Sequence, residues 1–515
     1  MLSFNAVADK WILVSNKSGV SEVSIQDIFD PLSEAVSFTE GAWKGLAPLR
    51  LLVAIATAAH RPQTNADIVG YLEDLPSFCS IIQDYLAQWE GSFDLFSATK
   101  PFLQVAFMDT SYPMEDKMPK GYKGYKRTPT TDLITEGFKT ATIRTGSVVD
   151  PLASLSSLMR ALLYAQVLGA NKKYGVHNNT PYVKLHPQGD TLSMQSSFSS
   201  SISTNGGSTS TLNIHMYDGG SLIKTIIYNM IAEENIKESI WSLGFGKPIW
   251  EYDVWDDHTK FLQVSSDISF SFLGRLVPIL KFLWIDPERP TEMVYSCSEG
   301  IDYLGALETL KSSMKYDTSY YLPPQNKKGK ALLGTCRDSS HLWREFSSLN
   351  INTDIPLVMT KFKSIQKYTT IQSTAVSMLC SSSMGLVYCE DVIVSSVNWS
   401  NDVFRGYLTG SLSISSFAEY ADTVSSKLYS ALYVFNREMG CTDNNRGESN
   451  KSTVMNYYWY GVNGGFQYYF DRSSSPTIMD EWKAFINDAA KRALYSLRDN
   501  NMRCNISLVK AEHSL

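Results

Sequence analysis

A short apolar run, a polar turn and a second short run at the start of the chain predict a β-hairpin that leads into a helix. Trp11 to Val14 is a β-type run, Asn16 to Gly19 is typical of a turn, and Val20 to Ile25 can return as the second strand. The segment from Ser24 to Phe29 then predicts the start of a helix.

Apolar runs with helical spacing predict the core helices of the N-terminal part. They cover residues 48–60, 81–89, 152–167 and 222–231. Gly169 follows the third of these runs as a C-terminal glycine does. Shorter runs predict strands at 250–255, at 261–264 and around 369–386.

The stretch from Phe93 to Gln104 predicts a packed turn. Pro101 fixes its own φ, and Lys100 before it is pushed toward extended backbone. Four apolar side chains of the stretch can be buried: Phe93, Leu95, Phe102 and Leu103.

The last part of the chain is dominated by apolar residues at helical spacing. Residues 399–439 and 454–470 have helical spacing, although Gly461, Gly464 and Gly465 weaken the second segment. From Trp482 to Leu497 the apolar positions follow i, i+3, i+4, i+7 spacing. Together these segments predict an antiparallel helical bundle from about residue 398.

Composition and charge limit the possible classes of protein. The chain has 515 residues, of which 43% are hydrophobic and 19% charged, so we expect a folded protein of two to four domains. The net charge of −6 argues against general attraction to nucleic acid, yet it permits local basic loops. Seven cysteines form no CxxC pair, which predicts reduced thiols in a cytoplasmic protein. We find no signal peptide and no apolar run of about 18 residues, so no membrane segment is expected.

Motifs that carry catalysis are missing from the sequence. The seven histidines have no metal-ligand spacing, and neither GxSxG nor GxxxxGK[ST] occurs. We therefore assign no catalytic residue, no metal ligand and no cofactor, while noting that many active sites leave no local signature.

Two basic loops interrupted by Gly or Pro are the positive signal for chemistry: residues 117–127, and residues 322–334 with Lys327, Lys328 and Lys330. Five positive charges, interleaved with tyrosines, occur in eleven residues that Pro119, Gly121 and Gly124 mark as a loop: Lys117, Lys120, Lys123, Lys126 and Arg127. Lysines beside aromatic rings suit contact with phosphate and stacking on bases. A solvated surface loop is the alternative, and the residues alone favour it.

Several blocks of sequence, in order along the chain, resemble CasA, the large subunit of the type I-E CRISPR surveillance complex called Cascade. The most specific block is Pro101-Phe102-Leu103-Gln104. The others are the hairpin at 11–14, the helix at 48–60, residues 219–229, 248–251 and 342–346, and the aromatic C-terminal segment.

The resemblance implies an α+β fold, with a large mixed α/β N-terminal domain over 1–397 and a C-terminal four-helix bundle over 398–515. Members of this family are not enzymes. They read a short protospacer-adjacent motif in double-stranded DNA, help open the duplex for guide RNA pairing, and recruit a separate helicase–nuclease. The implied partners are the other Cascade subunits, the CRISPR guide RNA, target DNA and the helicase–nuclease, with no membrane.

Three elements of the family contact nucleic acid, and each has a counterpart here. A loop that contacts the motif and the guide RNA handle corresponds to Thr142, Ile143, Arg144 and Thr145. A glycine-rich loop at the minor groove corresponds to 169–175, where Gly169 is followed by Ala170, Asn171, Lys172 and Lys173. A wedge hairpin that splits the first base pair corresponds to 381–386, including Ser383, Met384, Gly385 and Leu386.

This chain departs from the family pattern in two of these elements. Lysines replace the glycine run, which brings charge to phosphates where glycines would let the backbone approach closely. The wedge has no glutamine, but Met384 or Leu386 can insert between bases as apolar wedges do in minor-groove proteins.

Two other classes of protein remain open on the sequence. Richness in Tyr, Trp and Asn also fits a helical glycan-binding lipoprotein of the outer membrane, although a signal peptide and lipobox cysteine are missing. A metal-dependent nuclease is the third class.

Overall fold

The computed structural model describes residues 3–108, 126–129, 154–167, 174–176, 183–185, 195–196, 199–200, 209–210, 214–237, 244–279, 282–296, 325–327, 330–332, 343, 358, 361, 371–383, 386–400, 403, 414–441 and 445–515. The chain clusters into two compact units. One comprises Met1–Thr335, Ile355–Ser364 and Thr374–Val394, and the other comprises Cys336–Asp354, Ile365–Ser373 and Ser395–Leu515.

Helices account for most of the described residues. They are α1 (Ile25–Ile28), α2 (Gly41–His60), α3 (Asn65–Glu73), α4 (Leu75–Trp89), α5 (Leu155–Val167), α6 (Leu222–Asn229), α7 (Glu233–Lys237), α8 (His258–Phe270), α9 (Phe272–Leu276), α10 (Ile414–Met439), α11 (Asn445–Asp471), α12 (Ile478–Tyr495) and α13 (Met502–Glu512). Among the residues that the structure describes, 3₁₀ turns lie at Glu90–Phe93 and Ile249–Glu251.

Strands are mostly short, with two long exceptions at the end of the series. They are β1 (Ile12–Asn16), β2 (Gly19–Val23), β3 (Ser37–Phe38), β4 (Lys126–Pro129), β5 (Tyr174–Val176), β6 (Val183–Leu185), β7 (Gln195–Ser196), β8 (Ser199–Ser200), β9 (Thr209–Ser210), β10 (Ile214–Asp218), β11 (Leu283–Ile285), β12 (Met293–Ser296), β13 (Gln325–Lys327), β14 (Lys330–Leu332), β15 (Ile371–Ser383) and β16 (Leu386–Trp399). The class is therefore mixed helix and strand, as predicted.

The N-terminal hairpin and the helix after it form as the sequence predicts. β1 pairs antiparallel with β2, and β3 joins on the other side of β1. Ser24 caps α1 in a capping box, in which its hydroxyl accepts from Asp27 N and the Asp27 carboxylate accepts from Ser24 N.

The central apolar helix is longer than predicted. α2 starts at Gly41, seven residues before Pro48, and most of it is buried from Leu46 to Ala58. Pro48 indicated the first turn of a helix because proline is favoured there, but here it lies inside one. Its ring supplies no N–H for the carbonyl four residues earlier, and burial of the surrounding apolar face compensates.

The stretch from Phe93 to Gln104 is a packed turn in the core, as predicted. Phe93 lies against Phe102 and Trp250, with ring centroids 4.8 and 5.3 Å apart. The Gln104 amide donates to Leu95 O at 2.9 Å and accepts from the backbone N–H of Ile285 at 2.7 Å. The amide thus ties the turn to β11.

Two predicted strands are wrong. Residues 261–264 lie inside α8, and residues 250–255 contain no strand, since they begin in the 3₁₀ turn Ile249–Glu251. Asp257 caps α8 by accepting from the backbone N–H groups of Thr259 and Lys260, and Phe261 and Ile268 are buried on one helical face. The cap and the spacing of seven between these residues favour a helix over the strand that the short apolar run indicated.

The Ser-rich segment 193–211 contributes short strands. β7 pairs antiparallel with β8, and β9 pairs antiparallel with β15. β10 also lies beside β15, so β9, β10, β15 and β16 form one sheet in which β16 is an outer strand.

Four helices close the chain and pack on one another. α10 contacts α11, α12 and α13, while α11 also packs along α12. Their shared core contains Trp482, whose Nε1 donates to Phe417 O at 3.0 Å, and Tyr458, whose hydroxyl donates to Ala421 O at 2.8 Å. The four-helix bundle topology and the boundary between 397 and 398 remain predictions.

Candidate nucleic-acid interface

The basic segment at 117–127 is partly described. Lys117, Lys120 and Lys123 lie outside the described residues, whereas Lys126 and Arg127 open β4. There the two residues pair with Ser296 and Tyr295 of β12, in a sheet of order β11-β12-β4. The prediction that the loop includes these last two residues is therefore wrong, because their backbone continues a β-sheet.

Two of the predicted contact segments flank α5. Thr142, Ile143, Arg144 and Thr145 lie outside the described residues, and so do Gly169, Ala170, Asn171, Lys172 and Lys173. α5 ends at Val167, and β5 begins at Tyr174 and pairs antiparallel with β6. The helix between the two segments is the part of this region that the structure describes.

α5 is almost wholly buried, and a polar side chain fixes its N-terminal half. Arg160 contacts Glu22 at 2.6 Å and donates to the Trp11 carbonyl at 2.7 Å. Its Nε also lies 3.9 Å from a Glu40 oxygen. These contacts tie α5 to the β1–β2 hairpin and to the residue before α2.

The C-terminal half of α5 is fixed by two more polar groups. Tyr164 donates to the Glu40 carboxylate, and burial followed by the charge of Glu40 raises the pKa of the Tyr164 phenol well above its usual range. Gln166 is fully buried and donates to Leu103 O at 2.9 Å. Leu103 has a φ of 59°, a left-handed conformation that a branched side chain rarely adopts. The end of α5 is thereby anchored to the packed turn, two residues before the chain enters 168–173.

The predicted wedge lies at the tip of a long hairpin. β15 runs for 13 residues to Ser383, and β16 runs for 14 residues from Leu386. The strands are hydrogen-bonded neighbours joined by only Met384 and Gly385, which lie outside the described residues. A connection of two residues joins antiparallel strands. The structure therefore provides a hairpin where the resemblance implies one.

One lysine of the sequence has a structural role. Lys361 is 1% exposed and donates to the Met230 carbonyl. Burial lowers the pKa of its amine well below the usual value, because the charged form loses its hydration. This side chain holds the segment after α6 and is inaccessible to a phosphate.

The described residues contain no candidate metal-binding site. Among those residues, no group of three or more His, Cys, Asp or Glu side chains could hold a metal ion. Three described cysteines are free and buried: Cys79, Cys441 and Cys504. No helix among the described residues is long and apolar enough to span a bilayer.

Sequence reasoning missed the side chains that hold these elements in place. Arg160 and Gln166 are polar residues within the apolar run of α5, and that contrast was the available signal. Gln467 of α11 accepts from the Asn398 N–H at 3.0 Å and donates to the Asn398 carbonyl at 2.9 Å, near the end of β16. It had no signal in the sequence, because its partner is a backbone group 69 residues away.

The comparison with protein families decides the family of this fold. The model described as CRISPR-associated protein Cse1 matches residues 5–493. The chain belongs to the Cse1 family. Cse1 is also called CasA, so the resemblance drawn from the sequence is confirmed. No curated protein matches the chain.

Solved structures show the same fold as this Cse1-family chain. CasA from Thermus thermophilus matches with a TM-score of 0.68 at 16% identity, covering 99% of this chain and 98% of that one. Thermobifida fusca Cse1 matches with a TM-score of 0.70 at 14% identity, covering 99% and 97%. A chain of a CRISPR RNA-guided surveillance complex matches with a TM-score of 0.63 at 12% identity, covering 100% and 99%.

Proposed function

We propose that this chain is the non-catalytic large subunit of a type I-E CRISPR surveillance complex, Cascade, in the cytoplasm. In that complex it recognises a protospacer-adjacent motif in double-stranded DNA and helps open the duplex for guide RNA pairing. It then recruits the helicase–nuclease that cuts the target. Its partners are the other Cascade subunits, the guide RNA and target DNA.

Membership of the Cse1 family over residues 5–493 is the observation that carries this proposal. A fold shared over nearly the full length with a chain of an RNA-guided surveillance complex supports it. The hairpin in which β15 ends at Ser383 and β16 begins at Leu386 is an element suited to act as a wedge.

In this proposal, charged side chains of one element bind phosphates, and apolar side chains of another element unstack a base pair. Lys172 and Lys173 contact phosphates beside the minor groove, and the segment from Lys117 to Arg127 adds further phosphate contacts. Met384 or Leu386 at the hairpin tip inserts beside the first base pair and unstacks it. Sequence reading beyond the motif is left to the guide RNA, as in other RNA-guided systems.

The C-terminal helices and residues 142–145 serve assembly in this proposal. The helices form a four-helix bundle that contacts neighbouring subunits and the helicase–nuclease, and residues 142–145 dock on the guide RNA handle. Catalysis belongs to the recruited partner, so the complex without the helicase–nuclease binds its target and leaves it uncut.

Reconstitution tests the proposal directly. The complex is assembled from its own subunits and guide RNA with and without this chain, and its affinity is measured for target duplexes with randomised flanking motifs. We expect tight, motif-dependent binding only when the chain is present. Equal binding and equal motif preference without the chain would contradict the proposal, and so would DNA cleavage by the purified chain that stops on chelation of metal.

A further inference from the structure

The outer face of α11 presents aromatic side chains to solvent and carries no charge. Tyr457, Tyr460 and Tyr468 are 52%, 84% and 56% exposed. From Ser452 to Phe470 the helix has no Asp, Glu, Lys, Arg or His, although 19% of the whole chain is charged. The exposed face of a helix normally carries charged and polar side chains. This composition is therefore unusual for a face that meets only water.

The helix packed along α11 does not share this composition. The exposed positions of α12 include Asp480, Lys483, Asp488, Lys491 and Arg492. Two pairs of these side chains form ion pairs along the helix, Lys483 with Asp480 and Arg492 with Asp488. The lack of charge is thus a property of α11 and not of the C-terminal helices as a whole.

Two of the tyrosines flank a bare stretch of the helix. Tyr460, Gly464 and Tyr468 follow one another at intervals of four residues, so they lie along one face of α11. Nothing lies within 4 Å of a Cβ added at Gly464, and the same holds for Gly461. Eight residues of helix span about 12 Å, and an α-helix with its side chains is about 10–12 Å wide. The gap between the two rings therefore matches the width of a second helix.

One wall of this gap is held in place by neighbouring side chains. The guanidinium of Arg472 lies 4.9 Å from the centre of the Tyr468 ring and donates to its hydroxyl. Tyr468 also meets Tyr469 edge to face, with centroids 5.1 Å apart. Arg472 in turn lies 3.8 Å from the carboxylate of Glu481 on α12. A side chain that is already ordered loses little conformational entropy on binding, which favours affinity.

Charge and shape together select the class of occupant. Single-stranded nucleic acid stacks on aromatic rings but also needs cations along its backbone, and residues 452–470 offer none, while Arg472 is paired with Glu481. The centres of protein interfaces, by contrast, are enriched in Tyr and depleted in Lys, Glu and Asp. The distance between two crossing helices is set by the side chains at the contact, so a glycine there permits a close approach.

We propose that the gap between Tyr460 and Tyr468 is the docking site for an uncharged helix of another subunit of the surveillance complex. The inference rests on the proposed function, in which the C-terminal helices contact neighbouring subunits. The partner helix crosses α11 over Gly464 and packs small or apolar side chains between the two rings. A single crossing is small beside the roughly 1,200 Å² that a stable complex of two chains buries, so the partner is a subunit held at other points too. Every residue of the site lies in the compact unit that contains Ser395–Leu515.

A bulky side chain at the floor of the gap tests this proposal. The wild-type chain, Gly464→Leu and the control Gly70→Leu are each titrated against the complex assembled from the remaining subunits and guide RNA. Gly70 is an exposed glycine inside α3, and nothing lies within 4 Å of a Cβ added there. Both substitutions add the same side chain to an exposed position of a helix, but only the first fills the gap.

The expected result is a loss of assembly without a loss of stability. We expect Gly464→Leu to weaken binding to the remaining subunits about tenfold, the effect of losing an interface hot spot, and Gly70→Leu to stay within about twofold of the wild type. The thermal midpoint of the Gly464→Leu chain should equal or exceed that of the wild type, because leucine favours a helix more than glycine does. Tyr460→Ser removes one wall without adding bulk and should weaken assembly by a smaller factor.

Four other outcomes would count against the proposal. Assembly of the Gly464→Leu chain at wild-type affinity would overturn this inference alone, as would an equal loss in Gly70→Leu. It would also be overturned if the Gly464→Leu complex assembled normally but lost affinity for DNA, or if the substitution abolished self-association of the purified chain, since the occupant would then be nucleic acid or a second copy. A wild-type chain that does not bind the remaining subunits would overturn the proposed function, and this inference with it.

Discussion

α5 and α11 are held in opposite ways. α5 is buried over most of its length, and its polar anchors are the half-buried Arg160 and the fully buried Gln166. α11 buries one stripe at intervals of four, through Val454, Tyr458, Val462, Phe466 and Phe470. Its outer face exposes Tyr457, Tyr460 and Tyr468.

The burial of each helix determines which substitutions it tolerates. A helix buried over most of its length depends on internal polar partners, because an unpaired buried charge is costly. A helix buried on one side depends on the close approach of its neighbours on that side, and substitutions on its outer face leave the fold stable. We therefore expect substitutions to be severe in α5 and to depend on the face in α11.

The largest expected effect is at the internal anchor of α5. Arg160→Met removes the cation from Glu22 and Glu40 and should lower the free energy of unfolding by about 1–2 kcal/mol, between the values for an exposed and a buried pair, because the partly buried carboxylates lose their partner. Chemical denaturation of the full chain measures it. The matched control is Lys260→Met, which breaks an exposed pair to Asp257 and should cost less than about 0.5 kcal/mol. Equal effects of the two substitutions would show that α5 is not held by this anchor.

A second substitution tests the buried face of α11. A Cβ added at Gly465 would overlap the ring of Phe485 on α12. Gly465→Ala should therefore lower the free energy of unfolding by about 1 kcal/mol, because an overpacking cost of about 2 kcal/mol exceeds the gain of about 1 kcal/mol in helix propensity. Thermal unfolding of the full chain measures this change, and a stabilised variant would contradict the packing described for α11 and α12.

Removal of charge beside α5 should change DNA binding while leaving the fold intact. Lys172→Ala with Lys173→Ala should weaken target binding about tenfold. It should also reduce the slope of log affinity against log salt by about 2, because a complex with two fewer phosphate contacts releases fewer counterions on binding. Binding by the assembled complex is measured between about 50 and 200 mM salt, the range in which such slopes are resolved. The control carries the same charge change at exposed Lys17 and Lys260. An unchanged slope in the 172/173 variant would remove these lysines from the interface.

The smallest expected effect lies on the outer face of α11. Nothing lies within 4 Å of a Cβ added at Gly461. Gly461→Ala should raise the free energy of unfolding by about 1 kcal/mol, through helix propensity alone. The same unfolding assay as for Gly465→Ala measures it. Destabilisation would mean that this face is packed against something in the full chain.

Local signals in the sequence predicted a large part of the fold. The Ser24 cap, the β1–β2 turn and the apolar spacing of α12 act through neighbouring residues, so they could be read directly. The glycines of α11 weakened a helix that nevertheless runs for 27 residues, because packing of its buried stripe outweighs propensity.

Features that depend on distant residues could not be predicted in the same way. The left-handed Leu103 and its bond from Gln166 join residues 63 apart, and Gln467 reaches a backbone group 69 residues away. For the candidate site, family resemblance located the hairpin, whereas the sequence itself showed neither its length nor the contacts of α11 with the end of β16. The assigned roles in DNA contact remain predictions.

One measurement tests the central claim most directly, namely that the hairpin tip opens the duplex. Complexes are assembled with the wild-type chain and with Met384→Ser plus Leu386→Ser, and 2-aminopurine fluorescence at the first base pair is followed after mixing with motif-bearing target. We expect the wild-type complex to open the duplex and the variant complex to lose opening while it keeps its affinity for the duplex. Equal opening by both complexes would contradict it.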